Sequence, residues 1–137
     1  MKKQALMILG LVLLAGLAPV YAQSSAKASF SIPFEFVVGN VTLPAGDYIV
    51  EYSARTTMLS ITSAEGSPTV FALTKNLSAK AAPARSKLLF NRYGAKNFLS
   101  QLWAANYSTG YRVPKTAYER EMMAVAPRST AVQIAAK

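Results

Sequence analysis

Residues 30–50 read FSIPFEFVVGNVTLPAGDYIV. Phe30, Ile32, Phe34 and Phe36 recur at every second position, the period of an extended strand, so four large apolar side chains are expected on one face. Ser29, Ser31, Pro33 and Glu35 alternate with them and give that strand a wet face. Pro33 has no N–H to donate to a ladder, which implies an edge strand or a bulge. Gly39-Asn40 is turn chemistry, and Leu43-Pro44-Ala45-Gly46 carries Pro at the second and Gly at the fourth position of a β-turn. Asp47-Tyr48-Ile49-Val50 then resumes an extended run. The stretch specifies strand, turn and strand. It holds no set of residues that performs chemistry.

The same alternation continues downstream. Strands are expected at 29–37, 47–54, 58–63, 69–74, 86–93 and 97–106, with turn signals about every 8 to 12 residues. Residues 97–106 are apolar on both faces and read as a central strand covered on both sides. Residues 75–85, KNLSAKAAPAR, read as a basic surface loop in which the alanines permit a short helix over 77–82. Residues 107–114 read as a loop. Thr116 followed by Glu119 matches a capping box, so a helix is expected over 117–124, with Tyr118 and Met122 one turn apart and packed on the sheet. Pro127 ends any helix. The pattern predicts an all-β domain, an antiparallel sandwich or small barrel, with one short C-terminal helix.

Upstream, Lys2 and Lys3 precede an apolar run over 5–17, too short to span a bilayer comfortably, and Val20-Tyr21-Ala22 places suitable residues at a signal-peptidase site. The expected organisation is a signal peptide at 1–22, a flexible mature N-terminus at 23–28, one β-rich domain at 29–124, and a tail at 125–137 that is disordered or adds a last strand. Export to the periplasm or beyond follows from this reading, with no membrane span after cleavage.

The chain has no histidine and no cysteine. That removes the commonest general base, the histidine-dependent triads, disulfides and ordinary zinc or copper sites. No cofactor is expected. Glu35, Glu51 and Glu65 are the acids that could form a carboxylate pair, and Ser86-Lys87 is a nominal dyad whose side chains point to opposite faces. A carboxylate-only hydrolase is therefore the weakest alternative. Without Lys2 and Lys3, 13 basic and 6 acidic residues leave a net charge of +7. Such a surface favours polyanions, namely nucleic acid, lipopolysaccharide phosphates, acidic polysaccharide or an anionic membrane surface, and in an exported protein an envelope polymer or glycan is a better first expectation than nucleic acid. Arg92, Tyr93, Trp103, Tyr107 and Arg112 combine rings with cations and form the candidate ligand-binding set. Lys75, Lys80, Arg85 and Lys87 form a second basic zone.

Three blocks, FSIPFEFVVGNVTLPAGDYIV, KLLFNRYGAKNFLSQLW and GYRVPKTAYEREM, resemble the signature blocks of a family of small exported β-rich proteins of unassigned function, abundant in acidobacteria-like soil bacteria. The resemblance covers about residues 30–123 and implies a secreted or periplasmic β-domain. The family pattern often has a histidine before Arg-Tyr-Gly. This sequence has Asn91 there, so no role built on that imidazole carries over, and the resemblance supplies no catalytic residue. The leading expectation is a non-enzymatic binding or structural domain of the cell envelope. The alternative is a small barrel that carries an apolar ligand among Phe30, Phe34 and Phe36.

Overall fold

The computed structural model describes residues 25–126 and 128–137. Residues 1–24, which include the expected signal peptide, and Pro127 lie outside the described residues. The strands are β1 (Ser25–Ile32), β2 (Phe36–Val38), β3 (Val41–Leu43), β4 (Gly46–Ser53), β5 (Met58–Ser63), β6 (Thr69–Leu73), β7 (Lys75–Ser78), β8 (Lys87–Tyr93), β9 (Lys96–Trp103), β10 (Thr109–Arg112) and β11 (Ser129–Ala135). The one helix among the described residues, α1, spans Ala117–Val125. The strands form two open sheets, β1-β4-β5-β6 and β11-β8-β9-β10-β7, with the β2–β3 hairpin attached to β9. The protein is thus an all-β sandwich with a short helix near its C-terminus. Of the two architectures expected from the pattern, the closed barrel is not formed.

The stretch 30–50 joins the sheets. Phe30 and Ile32 point inward from β1, and the ladder then breaks at Pro33. Phe36, Val37 and Val38 carry the chain into the second sheet beside β9. The expected single strand over 29–37 is therefore two strands in different sheets. Proline is the physical cause, because it can neither donate to the ladder nor let its predecessor turn helical. Gly39, at φ 62°, makes the tight turn of the β2–β3 hairpin. Pro44 to Gly46 return the chain to the first sheet, where the Tyr48 hydroxyl donates to the Pro44 carbonyl at 2.6 Å and holds the turn.

The interior is filled by Phe30, Phe36, Val50, Leu59, Ile61, Leu88, Phe90 and Leu102, each at most 1% exposed. Burying each of the larger side chains contributes roughly 1.5–3 kcal/mol. Phe90 meets Phe34 and Phe36 edge to face at 5.1 and 5.6 Å. Tyr52 of one sheet stacks on Tyr111 of the other at 3.6 Å. The phenylalanine row is thus engaged with its own neighbours.

Several boundaries differ from the sequence expectations. β1 begins at Ser25, inside the segment expected to be flexible, and pairs with β4 back to Ser53. Residues 75–78 form strand β7 rather than part of a loop or a helix, and 109–112 form β10, which pairs with both β7 and β9. β9 carries a bulge at Ser100, since Leu89 pairs with Gln101 and Phe90 with Leu99. The extra residue resets the alternation, so Leu99 and Leu102 both face the core while Phe98 faces the other way. Residues 129–135 form a full strand against β8.

On the outer face of the second sheet, α1 lays Tyr118 and Met122 over Val37, Tyr93 and Phe98. Thr116 caps the helix by accepting from the Glu119 N–H at 3.2 Å. β9 is thereby covered on both faces, as its composition predicts. One side of the sandwich is pinned shut. There the Lys137 N–H donates to the Ser29 carbonyl at 3.0 Å, and its ammonium meets Asp47 at 2.8 Å. The opposite side is open, where the edge strand β6 faces residues 38–41 and 113–116.

Candidate functional site

Four cations surround one concavity on the outer face of the second sheet. It has a volume of about 210 Å³ and is lined by Lys75, Arg112, Lys115 and Arg120, with Ser100, Val113 and Pro114. Each cation comes from a different local structure. Lys75 on β7 stands directly opposite Arg112 on β10, and Arg112 in turn is opposite Gln101 of β9. The bulge brings Ser100, 8% exposed, into the lining, and the Ser100 carbonyl accepts from the Val113 N–H at 2.8 Å. Lys115 directly precedes the capping Thr116, and Arg120 follows that cap by one turn.

These placements work against the fold. Like charges directly opposite on paired strands repel. Cations at the start of a helix oppose its macrodipole, which favours acids there. Among the described residues, none of the four cations forms a salt bridge, and the ion pair that is present joins Lys137 to Asp47 elsewhere. The acid of this region is Glu119, in the first turn of α1 and 4% exposed. Burial pushes its carboxyl above the usual glutamate value, while Lys115 and the Asn91 amide pull it partly back. Its Oε2 has no hydrogen-bond partner.

The expected site residues are not brought together as a set. Arg112 belongs to the cationic concavity. Trp103 is 9% exposed, lies across Gly110, and donates its indole N–H to Gln101 at 2.8 Å. Its ring is committed to packing. Tyr93 is 3% exposed beneath α1. Arg92 donates from Nε to Asn97 at 2.7 Å and sits 5.4 Å above the Phe34 ring. Arg92 and Tyr93 end β8 beside Lys96, whereas Trp103 pairs with Lys87 at the far end of the same hairpin. Tyr107 is 65% exposed in the β9–β10 loop.

Of the second basic zone, Lys75 joins the concavity. Arg85 is bound to the Ala136 carbonyl and lines a different concavity, with Lys27 and Lys137. Lys115 and Arg120 are not among the residues expected from sequence. Their signal is present in KTAYER, two cations flanking the first turn of a capped helix, where acids are favoured. The Lys75–Arg112 pairing is hidden in sequence because neither β7 nor β10 reads as a strand.

The carboxylates do not converge on that face. Glu35 lies between β1 and β2, Glu51 on β4 and Glu65 in the β5–β6 turn. Ser86 accepts through its hydroxyl from the Ala105 N–H at 2.9 Å. Among the described residues, no group of three or more acids could hold a metal ion, and no helix is long and apolar enough to cross a membrane. Comparison with protein-family models, curated proteins and solved structures returns no match.

Proposed function

We propose that this is an exported, non-enzymatic β-domain that binds an anionic polymer or acidic glycan of the cell envelope through Lys75, Arg112, Lys115 and Arg120. The observation that carries the reading is the convergence of four cations on one concavity, without a salt bridge among the described residues. Each is held where the fold alone would disfavour it, and a bound anion relieves the mutual repulsion. Arg offers a planar fork to sulfate, phosphate or carboxylate, and Lys adds a mobile point charge. Export rests on the leader-like 1–22 segment and on the resemblance to small exported β-rich proteins.

The test is binding of dextran sulfate, with neutral dextran as control, followed across ionic strength. The unmodified protein binds the sulfated polymer in a salt-sensitive way. Arg112→Ala combined with Lys115→Ala weakens that binding about tenfold or more, a loss of at least about 1.4 kcal/mol. Lys80→Ala, outside the concavity, leaves it unchanged. Equal binding by the double variant and the unmodified protein overturns the proposal.

A further inference from the structure

The open side of the sandwich adjoins the cationic concavity. It forms a groove of about 530 Å³ between β6 and the segments 38–41 and 113–116. Val38, Val70, Ala72 and Val113 come to it from the interior, while Val41, Phe71 and Leu73 form its rim. The rim is wet: Phe71 is 63%, Leu73 64% and Val41 45% exposed. β6 is also an edge strand, paired on one side to β5 alone. Large apolar side chains on an exposed edge are a liability that soluble proteins avoid unless something covers them.

Val113, Pro114 and Lys115 line both this groove and the cationic concavity. The two therefore adjoin, and together they present a surface that is apolar on one side and positive on the other. A ligand that complements it carries its negative charge at one end and hydrocarbon at the other. We infer that the open side of the sandwich takes an acyl chain of an anionic lipid, laid along Phe71, Leu73 and Val41, with the headgroup anion held by Lys115 and its neighbouring cations. The inference rests on the anion-binding reading above and specifies the class of anion. Segregation of charge from hydrocarbon favours a lipid over an acidic peptide strand, whose side chains alternate along its length.

The experiment is co-sedimentation of the protein, as purified from the cells that make it, with vesicles of equal parts phosphatidylglycerol and phosphatidylcholine, or of phosphatidylcholine alone. Dextran sulfate binding is measured in parallel. The protein binds the anionic vesicles in preference to the neutral ones. Phe71→Ser combined with Leu73→Ser weakens vesicle binding about tenfold or more and leaves dextran sulfate binding unchanged. Both side chains are mostly exposed, so this variant keeps its thermal transition, and Val41→Ser gives a second, milder loss on the same rim.

If the double variant binds anionic vesicles as well as the unmodified protein does, the acyl-chain site is overturned and the polyanion reading stands. Binding of dextran sulfate without binding of anionic vesicles leads to the same outcome. Binding of neither overturns both. An acidic extended peptide that binds and is lost in the Phe71/Leu73 variant, while vesicles are ignored, assigns the groove to strand addition and overturns the lipid.

Discussion

Gly110 has no side chain because an indole occupies its place. A Cβ built there would lie 2.6 Å from the Trp103 ring, a separation that real carbons do not tolerate. Trp103 cannot swing away without giving up its hydrogen bond to Gln101 and its buried position. Gly110→Ala is therefore expected to destabilise the protein by about 1–3 kcal/mol through overpacking. The check is the urea midpoint at unchanged slope. A neutral substitution would show that the ring is free to move.

Glu119 makes a different demand. Its carboxyl is buried, lacks a partner at Oε2, and is raised above the ordinary glutamate value. The folded protein therefore holds this proton more tightly than the unfolded chain does. Stability from this group is fullest below the ordinary glutamate range and is lost as pH rises through the raised value. Glu119→Gln keeps the shape without the charge. Unfolding free energies from mildly acidic to neutral pH should decline less in the variant, which is at least as stable as the parent at neutral pH. An unchanged slope would assign the pH dependence to other groups. Asp47, held low by Lys137 and Ser31, acts in the opposite sense. Its contribution is lost as pH falls through its lowered value, and its exposure keeps that contribution small.

At the scale of elements, the legible features are those that composition dictates locally. The runs at 58–63, 69–74 and 86–93 form strands within a residue of their expected limits, because apolar alternation and flanking turns agree there. The capped helix forms where Thr116 and Glu119 place it. The elements that escape notice depend on distant partners. β10 is four residues with a single fully buried position, and β7 is a polar, mostly exposed segment with none; neither has a strand signature by itself. They are strands because β9 offers an edge to β10, and β10 offers one to β7. The bulge at Ser100 is equally silent in sequence, since a single inserted residue reverses the parity of everything after it.

At the scale of the whole molecule, the sandwich class is legible in sequence and the site largely is not. Arg112 stands out in sequence through its neighbours Tyr111 and Tyr107. It belongs with Lys75, Lys115 and Arg120, and the four meet only through β-pairing and the start of α1. Trp103, Tyr93 and Arg92 look available in sequence because ring and cation are adjacent. In the fold, each has a partner inside the protein. Overall positive charge motivates the proposal of an anionic ligand, but it carries no information on which cations converge without a salt bridge.

The crossing of residues 30–50 between the sheets has a consequence for how the molecule comes apart. β1 and β4 are neighbours in one sheet, yet the chain between them makes the β2–β3 hairpin of the other. Neither layer is a contiguous piece of chain, and neither can melt while the other persists without exposing the core face they bury together, where Phe36 packs on Tyr48 and Tyr52 on Tyr111. The molecule should therefore behave as one cooperative unit under denaturant. Trp103 reports on one layer and far-ultraviolet circular dichroism on both. Their unfolding curves should superimpose, and separated midpoints would mean that the layers are energetically independent.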